Sequence, residues 1–379
     1  MRPIIERQNV ALLADIAALR RLISGSPIPT ELQSYRDTLL QLLNHHQKTV
    51  ERNLRWLRLG RANILDNIYS ETLNVIYSMR LLSDCHAVPV LRAAESDRLC
   101  LALIHWMHGV HPQTQNCPAA CVDGNCSILP KHGLPLYYFP CAEKRTLLYL
   151  PLFFHEIGHE LYLYHKREMD ELVRDLRRDI DDLLMPASQR NDSHLEQQAT
   201  QRQSIIDTWY SWMQEFYCDA VGLTIGGPCY LQAFSTFISP LWQMNFYREP
   251  KYLKSSHPVT LLRIRFLTKR ARATGYTEIA QQVEGQWDEV ARAIGIEEDY
   301  HGFYDNVLEQ VVDETLENML VETNPRACTP SEAGGGLWVA GEDTPIRLLN
   351  WAWQQYMANR DHYSNWEIER IDDFLNNST

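Results

Sequence analysis

Two histidines stand four residues apart in this chain, His155 and His159, with Glu156 beside the first, in the pentapeptide HEIGH. Four residues turn an α-helix by about 400°, so the two imidazoles lie about 40° apart on one face and can reach one metal ion together. Imidazole nitrogen is a natural ligand for zinc. Glu156 sits about 100° round from His155, off the ligand pair but near it, where a carboxylate can take a proton from water on the metal. The motif follows the apolar run LLYLPLFF, which should bury it. Two histidines and a glutamate on a buried helix are costly unless something such as a metal satisfies them.

A catalytic zinc usually has three protein ligands and a water, so a third ligand must come from elsewhere. His165 lies ten residues after His155 and matches the longer HExxHxxGxxH spacing, but Tyr162 stands where that pattern has glycine. ELYLYHKREM reads as uninterrupted helix, which rotates His165 about 240° from His159 and turns it away. Glu215 is the better candidate. In WYSWMQEFYCDAVGL, Glu215 and Asp219 are again four apart and share a helical face, so one can bind the metal while the other supports it. Asp219 is well placed to accept a hydrogen bond from the non-ligating ring nitrogen of His155 or His159, fixing its tautomer. Trp209, Trp212 and Phe216 form a stripe beside this face and read as core packing.

HEIGH, then EFYCD, then SHPVTLLRI together resemble the gluzincin metallopeptidases of the CAAX-prenyl-protease and heat-shock membrane-protease type. Their pattern is HExxH, E-F-x-A-D, then H-P with an arginine several residues on. The likeness spans His155 to Ile264. It implies His155, His159 and Glu215 as ligands of a Zn²⁺ cofactor, Glu156 as general base and Asp219 as their support, and it places His257 and Arg263 near the active site. Cys218 departs from the usual alanine. The membrane-spanning segments of those proteases are absent, so soluble relatives of the minigluzincin kind are the closer comparison. His257 precedes Pro258 and so reads as extended, either capping the following helix or donating to a developing oxyanion. Arg263 reads as an ion-pair partner.

These groups require a helix carrying HEIGH and a second carrying Glu215, joined by a turn near Pro186, with the charged outer parts, about Lys166 to Asp207, projecting as a hairpin that could dock a partner. Before them, apolar residues recur at helical spacing to about Arg80, broken at SGSPIPT. The stretch from about Gly109 to Pro140 is rich in Pro, Gly, Asn and Cys and reads as loop, with a short strand at LPLYYF. Helices are expected over YLQAFSTFISPLWQM, around Tyr304 to Val321 and around Thr344 to Ala358. The fold expected is mainly α with a small β element and a zincin-like core. Its regions are 1–108 (helical), 109–270 (metallopeptidase core) and 271–379 (helical), unless all form one domain.

The chain has 379 residues, 45% hydrophobic and 22% charged, with a formal net charge of −12. This is the composition of a folded globular protein, and its charge opposes general binding to nucleic acid or anionic membranes. No apolar run is long enough to span a bilayer, and the charged start is unlike a secretory signal, so a cytoplasmic setting is expected. Nine cysteines then read as thiols. Cys117, Cys121, Cys126 and Cys141 lie close together, and a second metal held by the first three, with Cys141 or one of His105, His108 and His111 as the fourth ligand, is a weaker alternative. Zinc-dependent hydrolysis of a peptide or protein substrate is the expected function. The alternatives are a scaffold whose structural zinc is closed off by a cysteine or His257, and a zinc hydrolase of a non-peptide bond.

Overall fold

The computed structural model describes residues 1–60, 64–115, 117–129, 133–185, 196–238, 257–295, 300 and 303–377. The chain is mainly helical with one small three-stranded sheet. It divides into two compact units, 1–106 with 116–145, and 107–115 with 146–379. The cysteine-rich loop, grouped with the metallopeptidase core in the sequence reading, therefore falls with the N-terminal helices, and residues 271–379 share a unit with HEIGH. Among the described residues no helix is long and apolar enough to cross a membrane.

In the first unit, α1 (Arg2–Gly25) buries Ile5, Leu12, Ile16, Leu19 and Ile23 at helical spacing. It ends where Ser26 turns extended ahead of the two prolines. Helix α2 (Gln33–Arg58) follows, then a turn in which Gly60 takes φ +70°, then α3 (Leu65–Leu81). Buried Asn9 donates to Thr72 Oγ1 at 2.9 Å and pins α1 to α3. A π-type turn (Leu82–His86) leads into α4 (Val88–Leu91) and α5 (Arg98–Gly109).

The sheet comprises β1 (Ala120–Asp123), β2 (Ser127–Leu129) and β3 (Leu136–Phe139). Strand β3 lies in the middle, parallel to β1 with Ala120 opposite Leu136, and antiparallel to β2 with Ile128 opposite Tyr137. Only β3 was expected from sequence. Among the described residues Cys117, Cys121, Cys126 and Cys141 form no metal-spaced group, and all nine cysteines are thiols.

The second unit is arranged around α8 (Glu196–Gly226), on which α6 (Phe153–Tyr164) and α7 (Lys166–Leu184) pack. It continues through α9 (Pro228–Phe237), α10 (Thr260–Ala273), α11 (Thr277–Ile294), α12 (Asn306–Thr323), α13 (Pro330–Ala333), α14 (Pro345–Ala358) and α15 (Arg360–Asn377). Trp209, Trp212 and Phe216 are buried on α8 as expected, with Phe216 against Phe266 of α10 at 4.6 Å between ring centroids.

Two expectations fail here. The helix carrying HEIGH does not run on: it ends at Tyr164, and His165 (φ −104°, ψ 27°) breaks it before α7 begins. Nor is α7 a projecting arm along its described length. Met169, Val173, Leu176 and Ile180 form an apolar stripe at helical spacing inside the charged run, and α7 packs on both α8 and α12. Arg177 pairs with Asp207 at 2.7 Å and Arg202 with Asp181 at 3.1 Å, tying α7 to α8. The turn near Pro186, and the part of YLQAFSTFISPLWQM after Ile238, lie outside the described residues.

Candidate metal centre

The site is built where α6 crosses α8. Gly158 makes that crossing close: a Cβ there would lie 2.8 Å from the Cα of Cys218, so only glycine lets the helices approach this far. The approach brings one face of HEIGH onto the face of α8 that carries Glu215 and Asp219. His155, Glu156 and Asp219 are buried, and the Glu215 side chain is only 12% exposed.

The Glu215 carboxylate is the hub. Its Oε2 lies 3.6 Å from His155 Nε2 and its Oε1 3.8 Å from His159 Nε2. These distances are too long for hydrogen bonds, yet two ligands at about 2.1 Å on a tetrahedral ion stand about 3.4 Å apart. Each imidazole Nε2 thus faces a different oxygen of Glu215, whereas the group with one donor atom per residue, all within 4.8 Å of one another, is among the described residues His155, His159 and Cys218. His155 Nδ1 lies 2.9 Å from Asp219 Oδ1. With its Nδ1 turned to Asp219, His155 directs Nε2 toward Glu215.

Asp219 is itself held from three sides. Arg263, on α10, donates through Nε to Oδ2 and through its terminal nitrogen to Oδ1, both at 2.7 Å, and Tyr230 OH donates to Oδ1 at 3.0 Å. The same guanidinium reaches Glu215 at 3.4 Å and lies over the Phe234 ring, 4.7 Å from its centroid. Phe234 in turn stacks beside His155. Arg263 is thus an ion-pair partner, as the sequence suggested.

Burial drives the ionisation states here. It pushes the His155 imidazole down, but Asp219, with Glu215 and Glu156 behind it, outweighs this and holds His155 above the ordinary histidine value. Burial and the neighbouring His155 carry His159 down to about 4. Asp219 is opposed by burial and still lowered to about 2, chiefly by Arg263 and then by His155. Glu215 is likewise lowered against burial by His155, Arg263 and His159. One imidazole lone pair and two carboxylates are thus ready at neutral pH.

No family model, no curated protein and no solved structure matches this chain. The site must speak through its own geometry.

His257 stands at the rim, its side chain 65% exposed, with Nε2 3.8 Å from Glu215 Oε1. It precedes Pro258 and α10, as read from sequence. His165 is elsewhere, with Nδ1 3.5 Å from Glu322 of α12.

Two residues escaped the sequence reading, and a third, Cys218, was noted there only as a departure from alanine. Tyr230 reaches Asp219 only because Gly222 has no side chain; a Cβ there would meet the Tyr230 ring at 2.4 Å. The small-residue pair Gly222 and Gly226 on α8 was the available signal. Glu160 is buried, and burial alone raises its carboxyl to about 7. Cys218 also comes close, since its Sγ and one ring nitrogen each of His155 and His159 lie within 4.8 Å of one another. Burial first, and then the charges of Glu215, Glu156 and Asp219, push the Cys218 thiol well above its ordinary value.

Proposed function

We propose that the chain is a zinc-dependent metallopeptidase of gluzincin type, with His155, His159 and Glu215 as ligands. The observation that carries this reading is the Glu215 carboxylate standing 3.6 and 3.8 Å from the two imidazole Nε2 atoms. Charge balance supports it. Among the described residues Asp219 and Glu215 are two buried carboxylates with one fixed cation, Arg263, between them, which favours a further positive charge there. A proton on His155 supplies it in the metal-free protein, and a divalent ion facing a neutral His155 would supply it otherwise.

Zinc held there contributes a Lewis acid for the scissile carbonyl and an acidified water. The protein's own groups do the rest. Glu156 accepts the proton of the attacking water and returns it to the leaving amine. His257, exposed at the rim, donates a hydrogen bond to the developing oxyanion. Asp219 keeps His155 in the tautomer that ligates, and Arg263 and Tyr230 keep Asp219 in place. The substrate is a peptide or protein segment and the setting cytoplasmic.

Metal analysis of the purified chain with an unbiased peptide-library cleavage assay tests this. Stoichiometric zinc and cleavage are expected. Glu156→Gln should abolish cleavage with zinc retained, because an amide cannot take the proton; full activity in that variant would remove the mechanism. A second reading rests on the nearness of Cys218, which would make the zinc structural and closed. In the cobalt-substituted protein, thiolate-to-cobalt charge transfer would favour that reading, and its absence the open catalytic site.

A further inference from the structure

The first unit contains a cavity of about 450 Å³ between α2 and α3, a size that suits a small organic ligand. The zinc reading makes no use of it. The two helices run antiparallel here, since His46 meets Ser78 at 2.7 Å and Arg52 meets Glu71 at 2.9 Å. The lining therefore changes in steps along the cavity. One end is lined by Leu42, Leu82 and Leu134, the last two buried, together with His86. The other end is the Arg52–Glu71 pair, whose side chains are 46% and 38% exposed. About 15 Å of helix α2 separates Leu42 from Arg52. A slot with leucines at one end, Val75 and the rings of His45 and His46 along it, and an exposed ion pair at the other end matches a single alkyl chain with an ionic head.

The sign of the head follows from the local charge. Although the whole chain carries −12, α2 has five basic residues, Arg36, Lys48, Arg52, Arg55 and Arg58, against Asp37 and Glu51. Arg55 and Arg58 lie in the last turn of the helix, on the Arg52 side of the cavity. An anion arriving at Arg52 has only an exposed ion pair to displace, and such pairs contribute little to stability. We propose that this cavity binds a medium-chain amphiphile with an anionic head, its tail against Leu82 and Leu134 and its head on Arg52. The proposal is independent of the zinc site.

Isothermal titration of the full-length protein below the micelle concentration tests it. Decanoate should saturate at one site, with decanol and decylamine at least tenfold weaker. Octanoate should be about fifteenfold weaker than decanoate, because each of the two missing methylenes multiplies affinity about fourfold. Arg52→Ala should weaken decanoate at least tenfold. Glu71→Gln should tighten it severalfold, since it removes the carboxylate that competes for Arg52. Both substitutions are at partly exposed sites that should fold normally. Decyl phosphate separates two sources: binding equal to that of decanoate points to a phosphate-headed lipid, and weaker binding to a free fatty acid. Equal binding of decanoate, decanol and decylamine, or unchanged binding in Arg52→Ala, overturns the proposal.

Discussion

Each unit contains a buried cation between two carboxylates, and the two clusters have opposite characters. In the first unit Lys144 lies 3.0 Å from Asp97 and 2.8 Å from Asp123. Asp123 is 65% exposed, so water screens it, and the buried part of the cluster is one cation facing one anion. In the second unit Arg263 faces Asp219 and Glu215, both almost fully buried, and it cannot neutralise two. The Lys144 cluster is complete in itself. Among the described residues the Arg263 cluster has one arginine for two buried carboxylates, and the proposed metal site rests on this imbalance beside two imidazoles rather than on buried charge alone.

The largest difference should appear when one carboxylate is removed from each cluster. Asp219→Asn leaves Arg263 buried with its main partner gone and releases His155. It should lower the stability of the second unit by about 3–5 kcal/mol and strip the zinc. Asp97→Asn leaves Lys144 its contact with Asp123 and should lower stability by only about 1–2 kcal/mol. Urea unfolding of the two full-length variants, followed by metal analysis, checks the ranking. Equal losses would mean that the Arg263 cluster is no more demanding than the other.

A smaller effect, set by pH, separates the clusters in a different way. An unfolded histidine titrates near about 6.5. His159 is lowered to about 4, so below pH 6.5 the unfolded chain binds a proton that the folded chain refuses, and stability falls as pH drops to about 4. His155 is raised, so its contribution is complete below pH 6.5 and is lost as pH rises above that value. The His159 contribution of metal-free protein should therefore decline by up to about 3 kcal/mol on the acid side, while Glu160, raised to about 7, changes stability in the opposite sense between about pH 4.5 and 7, so a Glu160→Gln background isolates the histidines. Zinc needs a neutral His155 and should remove the decline on the alkaline side. Lys144 is opposed by burial yet raised, first by Cys121 and then by Asp123 and Asp97, so its contribution stays constant until pH rises through the lysine range. Thermal unfolding from pH 5 to 8, with and without zinc, measures this. A metal-free profile of Glu160→Gln that is flat across pH 6.5 would show that the histidines are not held in opposite states.

How much of this was legible in the sequence depends on whether the signal was local. The i, i+4 pairs His155/His159 and Glu215/Asp219 project from single helices, and helical geometry alone put each pair on one face. The stripe of Met169, Val173, Leu176 and Ile180 was equally local, but dense charge on the other faces of α7 hid it and suggested a solvated arm. Contacts that depend on the packing of two elements were not legible. Tyr230 reaches Asp219 because α8 and α9 close on Gly222, and β1 and β2 are short strands that exist only through β3. The helix α15 was missed for a related reason: its sequence is mostly polar, and only Tyr363 and Phe374 are buried.

The break at His165 bears on the last and smallest expected effect. A three-histidine site needs the helix to stop soon after His159 so that His165 can swing back to the metal. The helix does stop, despite having no glycine or proline, but only after Tyr164, one and a half turns too late. By then the chain has left the site, and His165 meets Glu322 of α12 at 3.5 Å, a contact 43% exposed on the glutamate side and worth less than about 1 kcal/mol. His165→Ala should therefore leave zinc content unchanged and stability nearly so, while Glu215→Ala should lose most of the zinc. Metal analysis of the two folded variants decides between them. The reverse ranking would move the third ligand from α8 to the end of α6, and the contrast between the two charged clusters would lose its chemical meaning.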